Sequence, residues 1–245
     1  MIIYGINPVL EALRARKVQR LRVSARSDKR MDEVVALAGA QGVPVERADA
    51  QGLDRAARGG LHQGVVAEVE EVRDYGIEEL ASSAPVAPLL VVLDGIEDPQ
   101  NVGAILRACD AAGVTGVIRQ TRHAAALDGV VAKASAGALA SARIATVVNI
   151  ARAVEALKSA NVWTIGLAGD ADEAYTDVDW TLPSSLVLGA EGTGLRRLVR
   201  ETCDRLVSIP MRGAVDSLNV SVAAGVVLYE AVRQRGDEPE RRGGG

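Results

Sequence analysis

The sequence predicts an α/β protein in two parts: a small N-terminal α/β module and a larger doubly wound domain on a mostly parallel sheet. Three observations carry this. The 245 residues are 48% hydrophobic, enough to bury a sizeable core. Strand-like and helix-like patterns alternate along the chain. From Leu89, "LLVVLDGI" is a continuous apolar run of the kind buried on both faces of a parallel sheet.

Each element has its own signal. In "NPVLEALRAR" the apolar Val9, Leu10 and Leu13 fall at helical spacing, with Asn7 the expected cap and Pro8 in the first turn. "VQRLRVSA" alternates as a strand, and "MDEVVALAGAQG" is a helix ending in glycine. "VPVERAD" and "QGVVAEVEEV" read as strands. Residues 1–70 make one compact module. Residues 71–88 make a linker, with Pro85, Pro88 and a short helix at Ile77–Ala81. Residues 89–235 form the second domain, in which "NVGAILRACDAAG", "ARAVEALKSAN", "LRRLVRETC" and "NVSVAAGVVLYEAVRQRG" are helical and "GVVAKASAGALAS" is a helix or helix-turn. "VTGVI", "ATVVNI", "VWTIGLAG", "SSLVLGA" and "RLVSIPM" are its further strands. Residues 236–245 read as a disordered tail.

Composition narrows the function. No apolar run approaches the ~18 residues of a membrane helix, and the N-terminus reads as part of the fold. A cytoplasmic protein is expected. Cys109, Cys203, His62 and His123 have no zinc-like spacing, so no metal is expected and both cysteines read as buried thiols. Net charge is −4, yet residues 1–60 hold eleven Lys/Arg against seven Asp/Glu. Arg14, Arg16, Lys17, Arg20, Arg22, Arg26, Lys29 and Arg30 fall close together. They suggest either a docking surface for a polyanion or a solvated helix–strand edge. Aromatic residues are 2% of the chain, which disfavours base stacking as a mode of nucleic-acid recognition.

In an open parallel sheet the ligand sits beyond the carboxyl ends of the strands. Three stretches there carry chemistry. In "LDGIEDPQNVGAILRACDAAG", Asn101 is placed to cap a helix whose buried stripe is Val102, Ile105, Leu106, Cys109 and Ala112. Arg107 lies off the stripe, with Gly103 leaving room beside it, and either faces a cleft or pairs with Asp110. In "LVLGAEGTGL", Gly189, Gly192 and Gly194 surround Glu191, which either acts in a site or opens the next helix. The order is not the dinucleotide G-x-G-x-x-G, and no phosphate-binding G-x-x-x-x-G-K-[ST] occurs. In "DSLNVSVAAGVVLYEA", four small polar residues, Asp216, Ser217, Asn219 and Ser221, precede an apolar stripe at Val220, Ala223, Ala224, Val227 and Leu228. One cap explains one or two of them, not four.

Together, "DPQNVGAILRACDAAGVTGVI", "LVLGAEGTGL" and "IPMRGAVDSLNVSVAAG" resemble, in order and separation, the signature motifs of the SPOUT-class RNA ribose 2′-O-methyltransferases, SpoU branch. "IYGINPVLEAL" and "HQGVVAEV" look like the ends of the small substrate-binding domain in the subgroup that methylates a guanosine of large-subunit (23S) ribosomal RNA. The resemblance covers residues 2–233.

The resemblance implies a C-terminal domain threaded into a deep trefoil knot, a chain path otherwise excluded by default. It implies S-adenosylmethionine as cofactor, held around Leu167, Gly189, Ile209 and Leu218. Asn101, Arg107, Glu191, Ser217 and Asn219 inherit the catalytic roles, with Arg107 oriented by Glu191 and Asn219. An arginine is always protonated, so Arg107 suits a clamp on phosphate that stabilises developing alkoxide better than a free base. The N-terminal module resembles a ribosomal-protein-like RNA-binding domain, in which Arg14, Arg20, Arg22 and Arg26 would contact phosphates. A homodimer through the knotted domain is also implied. Gln100 departs from the histidine common in relatives, and "ALASARIATVVN" lacks their acidic–histidine pair. A transfer-RNA methylase, a resistance methylase of ribosomal RNA and a non-catalytic assembly factor remain the alternatives.

Overall fold

The computed structural model describes residues 1–25, 28–70, 73–83 and 87–236. Arg26 and the expected tail beyond Gly236 lie outside the described residues. The N-terminal unit contains β1 (Ile2–Tyr4), α1 (Ile6–Arg14), β2 (Val18–Val23), α2 (Lys29–Ala40), β3 (Val45–Arg47), α3 (Ala50–Ala56) and β4 (Val65–Val69). Its sheet has the order β1-β4-β2-β3. β2 and β3 run parallel, and β4 is antiparallel to both its neighbours.

Two details differ from the sequence reading. α1 starts at Ile6 with Gly5 as its N-cap, so Asn7 does not cap it. The Ile6 N–H instead donates to Gln63 Oε1 at 3.2 Å, while Asn7 Oδ1 accepts from Arg30. α3 was not foreseen because Leu53 is its only buried residue, which leaves no apolar period to read. Asp49 caps it by accepting from Gly52 N at 2.8 Å.

α4 (Ile77–Ser82) follows, with Leu80 fully buried. This segment is docked on the second sheet: Thr146 N donates to Asp74 Oδ1 at 2.7 Å.

The C-terminal unit comprises β5 (Leu89–Asp94), α5 (Pro99–Ala111), β6 (Gly116–Gln120), α6 (Gly129–Ala134), β7 (Ile144–Val147), α7 (Ile150–Ser159), β8 (Trp163–Leu167), β9 (Glu173–Ala174), β10 (Ser184–Gly189), α8 (Arg197–Thr202), β11 (Arg205–Ser208) and α9 (Val220–Arg235). The sheet order is β7-β6-β5-β10-β8-β11-β9, with every pairing parallel.

β5 is buried along its whole length, as its apolar run requires. Val91 and Leu93 point into one core, and Leu90 and Val92 into the other. The first core runs unbroken from Ile3, Leu10 and Val34 through Leu139 to Ile105 and Val227, so the two units share packing. α5 approaches α6 closely at Gly103, where an added Cβ would lie 2.3 Å from the Ala134 Cβ. Gly103 therefore makes room for a helix, not for Arg107. Among the described residues no helix is long and apolar enough to cross a membrane. None of their His, Cys, Asp and Glu side chains cluster in threes that could hold a metal ion.

Candidate active site

The carboxyl ends of β8, β10 and β11 open on one cavity of about 780 Å³, within the range of small-molecule sites. Leu167 ends β8, Gly189 ends β10, Ile209 follows β11 and Leu218 precedes α9. All four line the cavity, as do Glu191, Ser217 and Asn219. Leu218 leaves 38% of its surface exposed there, an apolar wall open to cover by a ligand.

The loop after β10 explains its glycines. Ala190 and Gly194 exchange two backbone hydrogen bonds, at 3.1 and 2.8 Å, across a turn in which Gly192 and Gly194 have φ of +77° and +66°. A Cβ at Gly189 would lie 2.1 Å from the Gly194 carbonyl carbon. Any side chain at 189 would force the loop off the strand end. Glu191 sits in this turn; α8 does not begin until Arg197, so Glu191 does not open a helix.

Asn219 answers the excess of small polar residues before α9. It is the N-cap, and its Oδ1 accepts from Ser221 N at 2.9 Å and Val222 N at 3.3 Å. Capping with the oxygen turns the amide nitrogen outward. That Nδ2 donates to Asn101 Oδ1 at 2.9 Å and to Glu191 Oε1 at 2.7 Å. One side chain thereby joins the starts of α5 and α9 to the turn after β10. Ser221 has a local task, its Oγ donating to Asn219 Oδ1 at 2.5 Å. Ser217 Oγ donates to Asp216 Oδ1 at 3.1 Å, and both residues face the cavity.

Asn101 does not cap α5. Asp98 does, accepting from Gln100 N at 3.0 Å with Pro99 following. Asn101 is instead buried in the first turn, its side chain free to meet Asn219. Arg107 is exposed on α5 and has no partner among the described residues. The alternative pairing with Asp110 is not formed, since Asp110 accepts from Ser141. Arg107 does not line the cavity, and it bonds to neither Glu191 nor Asn219. The structure gives no support to orientation of Arg107 by those two residues.

Asp170, in the loop after β8, also lines the cavity. Its carboxylate accepts from Arg200 Nη1 at 2.7 Å on the cavity wall. That bond holds the Asp170 carboxyl below the usual carboxylate range. No local signal marks Arg200, because only the fold brings α8 beside β8.

The basic N-terminal residues divide. Arg14 pairs with Glu11 and Glu33, and Arg22 with Glu46. Arg20, on the same outward face of β2 as Arg22, is exposed and has no partner among the described residues. Exposed ion pairs of this kind are weak and exchangeable.

The chain belongs to the SpoU rRNA Methylase family, which matches residues 88–229, and residues 2–75 match the RNA 2′-O ribose methyltransferase substrate-binding family. It is 46% identical over 241 residues to the Yersinia pestis 23S rRNA (guanosine-2′-O-)-methyltransferase RlmB, covering 96% of this chain and 98% of that protein. Identity to the Escherichia coli K12 protein of the same name is 43% over 240 residues, covering 96% and 98%. The structure is similar to that of the SpoU methyltransferase AviRb from Streptomyces viridochromogenes in complex with AdoMet. There the TM-score is 0.80 at 31% identity, covering 96% of this chain and 90% of that one. An AdoMet-bound rRNA methyltransferase from Sinorhizobium meliloti gives a TM-score of 0.76 at 25% identity, covering 95% and 86%.

Proposed function

We propose that this protein methylates the ribose 2′-hydroxyl of a guanosine in 23S ribosomal RNA, with S-adenosylmethionine as donor. The observation that carries the reading is the Asn219 amide, which joins Asn101 and Glu191 at the rim of a cavity walled by Leu167, Gly189, Ile209 and Leu218. Similarity to the 23S rRNA (guanosine-2′-O-)-methyltransferases supports the substrate, and similarity to the AdoMet-bound structures supports the cofactor.

The cavity fits that cofactor. Leu167, Ile209 and Leu218 offer apolar walls for an adenine ring, and backbone groups of residues 189–194 offer polar partners without side chains in the way. S-adenosylmethionine supplies a methyl already activated on a sulfonium, so the protein's work is alignment and charge. Ser217 and Asn219 line the edge where the acceptor ribose would enter. Asn101 and Glu191 hold the Asn219 amide in one orientation. Arg107 keeps its guanidinium free for a substrate phosphate, where it would stabilise charge developing on the 2′-oxygen.

Residues 1–70 then act as the RNA-docking module and 89–235 as the catalytic domain, linked by 71–88, in a cytoplasmic protein. A homodimer is supported by α9, which between Val220 and Tyr229 is apolar on both faces apart from Ser221. One face packs inside through Val220, Ala224, Val227 and Leu228, while Val222 and Tyr229 leave 52% and 54% of their surface exposed on the other.

Transfer of labelled methyl to ribosomal RNA by wild type and Arg107→Ala tests the reading. Wild type transfers label, and the variant loses at least about a hundredfold in turnover with cofactor affinity unchanged by calorimetry. Full turnover by the variant would remove Arg107 from the mechanism.

A further inference from the structure

We propose that Arg196 is a positioning residue for the reaction, setting the relative placement of the ends of three adjacent strands, β6, β5 and β10, at the carboxyl edge of the sheet. The inference rests on the function proposed above. β6, β5 and β10 are consecutive neighbours in the sheet; the loop after β10 lines the cavity, and the segment after β5 leads to Asn101, which bonds Asn219 on the cavity wall. Asp94, the last residue of β5, is fully buried and pairs in register with Gly189 at the end of β10. A carboxylate so buried requires compensation. Arg196 provides it: its backbone N–H donates to Asp94 Oδ2 at 2.9 Å and its Nε to Oδ1 at 2.6 Å, with Nη2 forming a further ion-pair contact.

The same Nη2 donates to Gln120 Oε1 at 2.7 Å at the end of β6. Gln120 passes the link on, its Nε2 donating to the His123 carbonyl at 2.7 Å. His123 has a φ of +52°, in the left-handed region, so the chain turns sharply where Gln120 holds it. One guanidinium therefore joins the segment that leads to Asn101, the turn that carries Glu191 and the loop at 121–128. Arg196 itself lies two residues beyond Gly194, the foot of the Glu191 turn. Asn219 joins the same two loops from the cavity side, through Asn101 and Glu191. The reach of Asn219 to both partners is thus set by the pair beneath. A planar fork is needed, because lysine offers a cation without the fixed geometry to serve Asp94 and Gln120 together.

The test compares wild type, Arg196→Lys and Asp94→Asn by thermal melting, cofactor calorimetry and steady-state methyl transfer. The inference predicts that Arg196→Lys keeps a cooperative melt and an unchanged KM for RNA. Its Kd for S-adenosylmethionine rises about tenfold and its kcat falls about tenfold or more. Asp94→Asn should move the same two constants in the same direction. A merely structural role would reduce the folded fraction, lowering apparent kcat with both KM values and the cofactor Kd unchanged; that result overturns the inference. Loss of the cooperative melt in both variants also overturns it, assigning the pair to stability alone. A wild-type protein inactive on every RNA contradicts the proposed function instead.

Discussion

Asn219 performs two tasks with the two ends of one amide, and they can be separated. Its oxygen caps α9, and its nitrogen bridges Asn101 and Glu191. Asn219→Asp keeps an acceptor for the cap but removes both donor hydrogens and sets a carboxylate against Glu191. It should melt within a few degrees of wild type while kcat falls about a hundredfold. Asn219→Ala should lose activity and also ~1 kcal/mol of stability from the missing cap. Equal activity of Asn219→Asp and wild type would discard the bridge as functional. The motif residues were legible in sequence, but their geometry was not. Asn101 looked like a cap because it precedes a helical stripe, although Asp98-Pro99 is the stronger local signal. Asn101 and Asn219 are 118 residues apart, and no local pattern announces such a bond. The buried thiol of Cys109 was legible from its apolar helical setting; Cys203, expected to be buried too, is only half-buried at the end of α8, and burial pushes its thiol up to about 12.

At the scale of elements, α9 is fixed at both ends. Asn219 holds its start. Near its end Glu230 accepts from Arg233 at 2.8 and 2.7 Å and from Gln234 at 2.8 Å, and Gln234 Oε1 accepts from Trp180 N. The bonds from Arg233 and Gln234 lower the Glu230 carboxyl to about 2. A carboxyl depressed on folding adds stability that is present above its unfolded pKa and lost as pH falls through the folded one. Wild type should therefore lose stability between about pH 4.5 and 2 in part through Glu230. Glu230→Gln should flatten that part of the curve, read as the urea midpoint against pH. An unchanged acid slope would show that the group does not report on folding. The helix was legible because its buried stripe keeps a helical period. Its outer apolar face was equally visible, but what covers that face is not written in one chain.

Across the whole molecule, the strand order departs most from what sequence can tell. The alternation of strands and helices gave a parallel sheet, yet β10 inserts between β5 and β8. That insertion brings Gly189 beside Asp94 and gathers the motifs around one cavity. Neighbour choice depends on long-range packing, not on local period. The N-terminal charge cluster was legible as a count but not as a surface, since carboxylates from α1, α2 and β3 already engage Arg14 and Arg22. Arg20→Glu should accordingly weaken RNA binding across sequences and lower the salt slope of log K by about one. Arg14→Glu should do less, and an equal effect would deny the distinction. The central claim is the chemistry and its target. The most direct measurement is incubation of unmodified 23S ribosomal RNA, and separately transfer RNA, with the protein and S-adenosylmethionine, followed by nucleoside mass spectrometry and mapping of the modified position. The predicted result is 2′-O-methylguanosine at one position of 23S ribosomal RNA and none in transfer RNA. A methyl group on a base, a product in transfer RNA alone, or no product in either would contradict it.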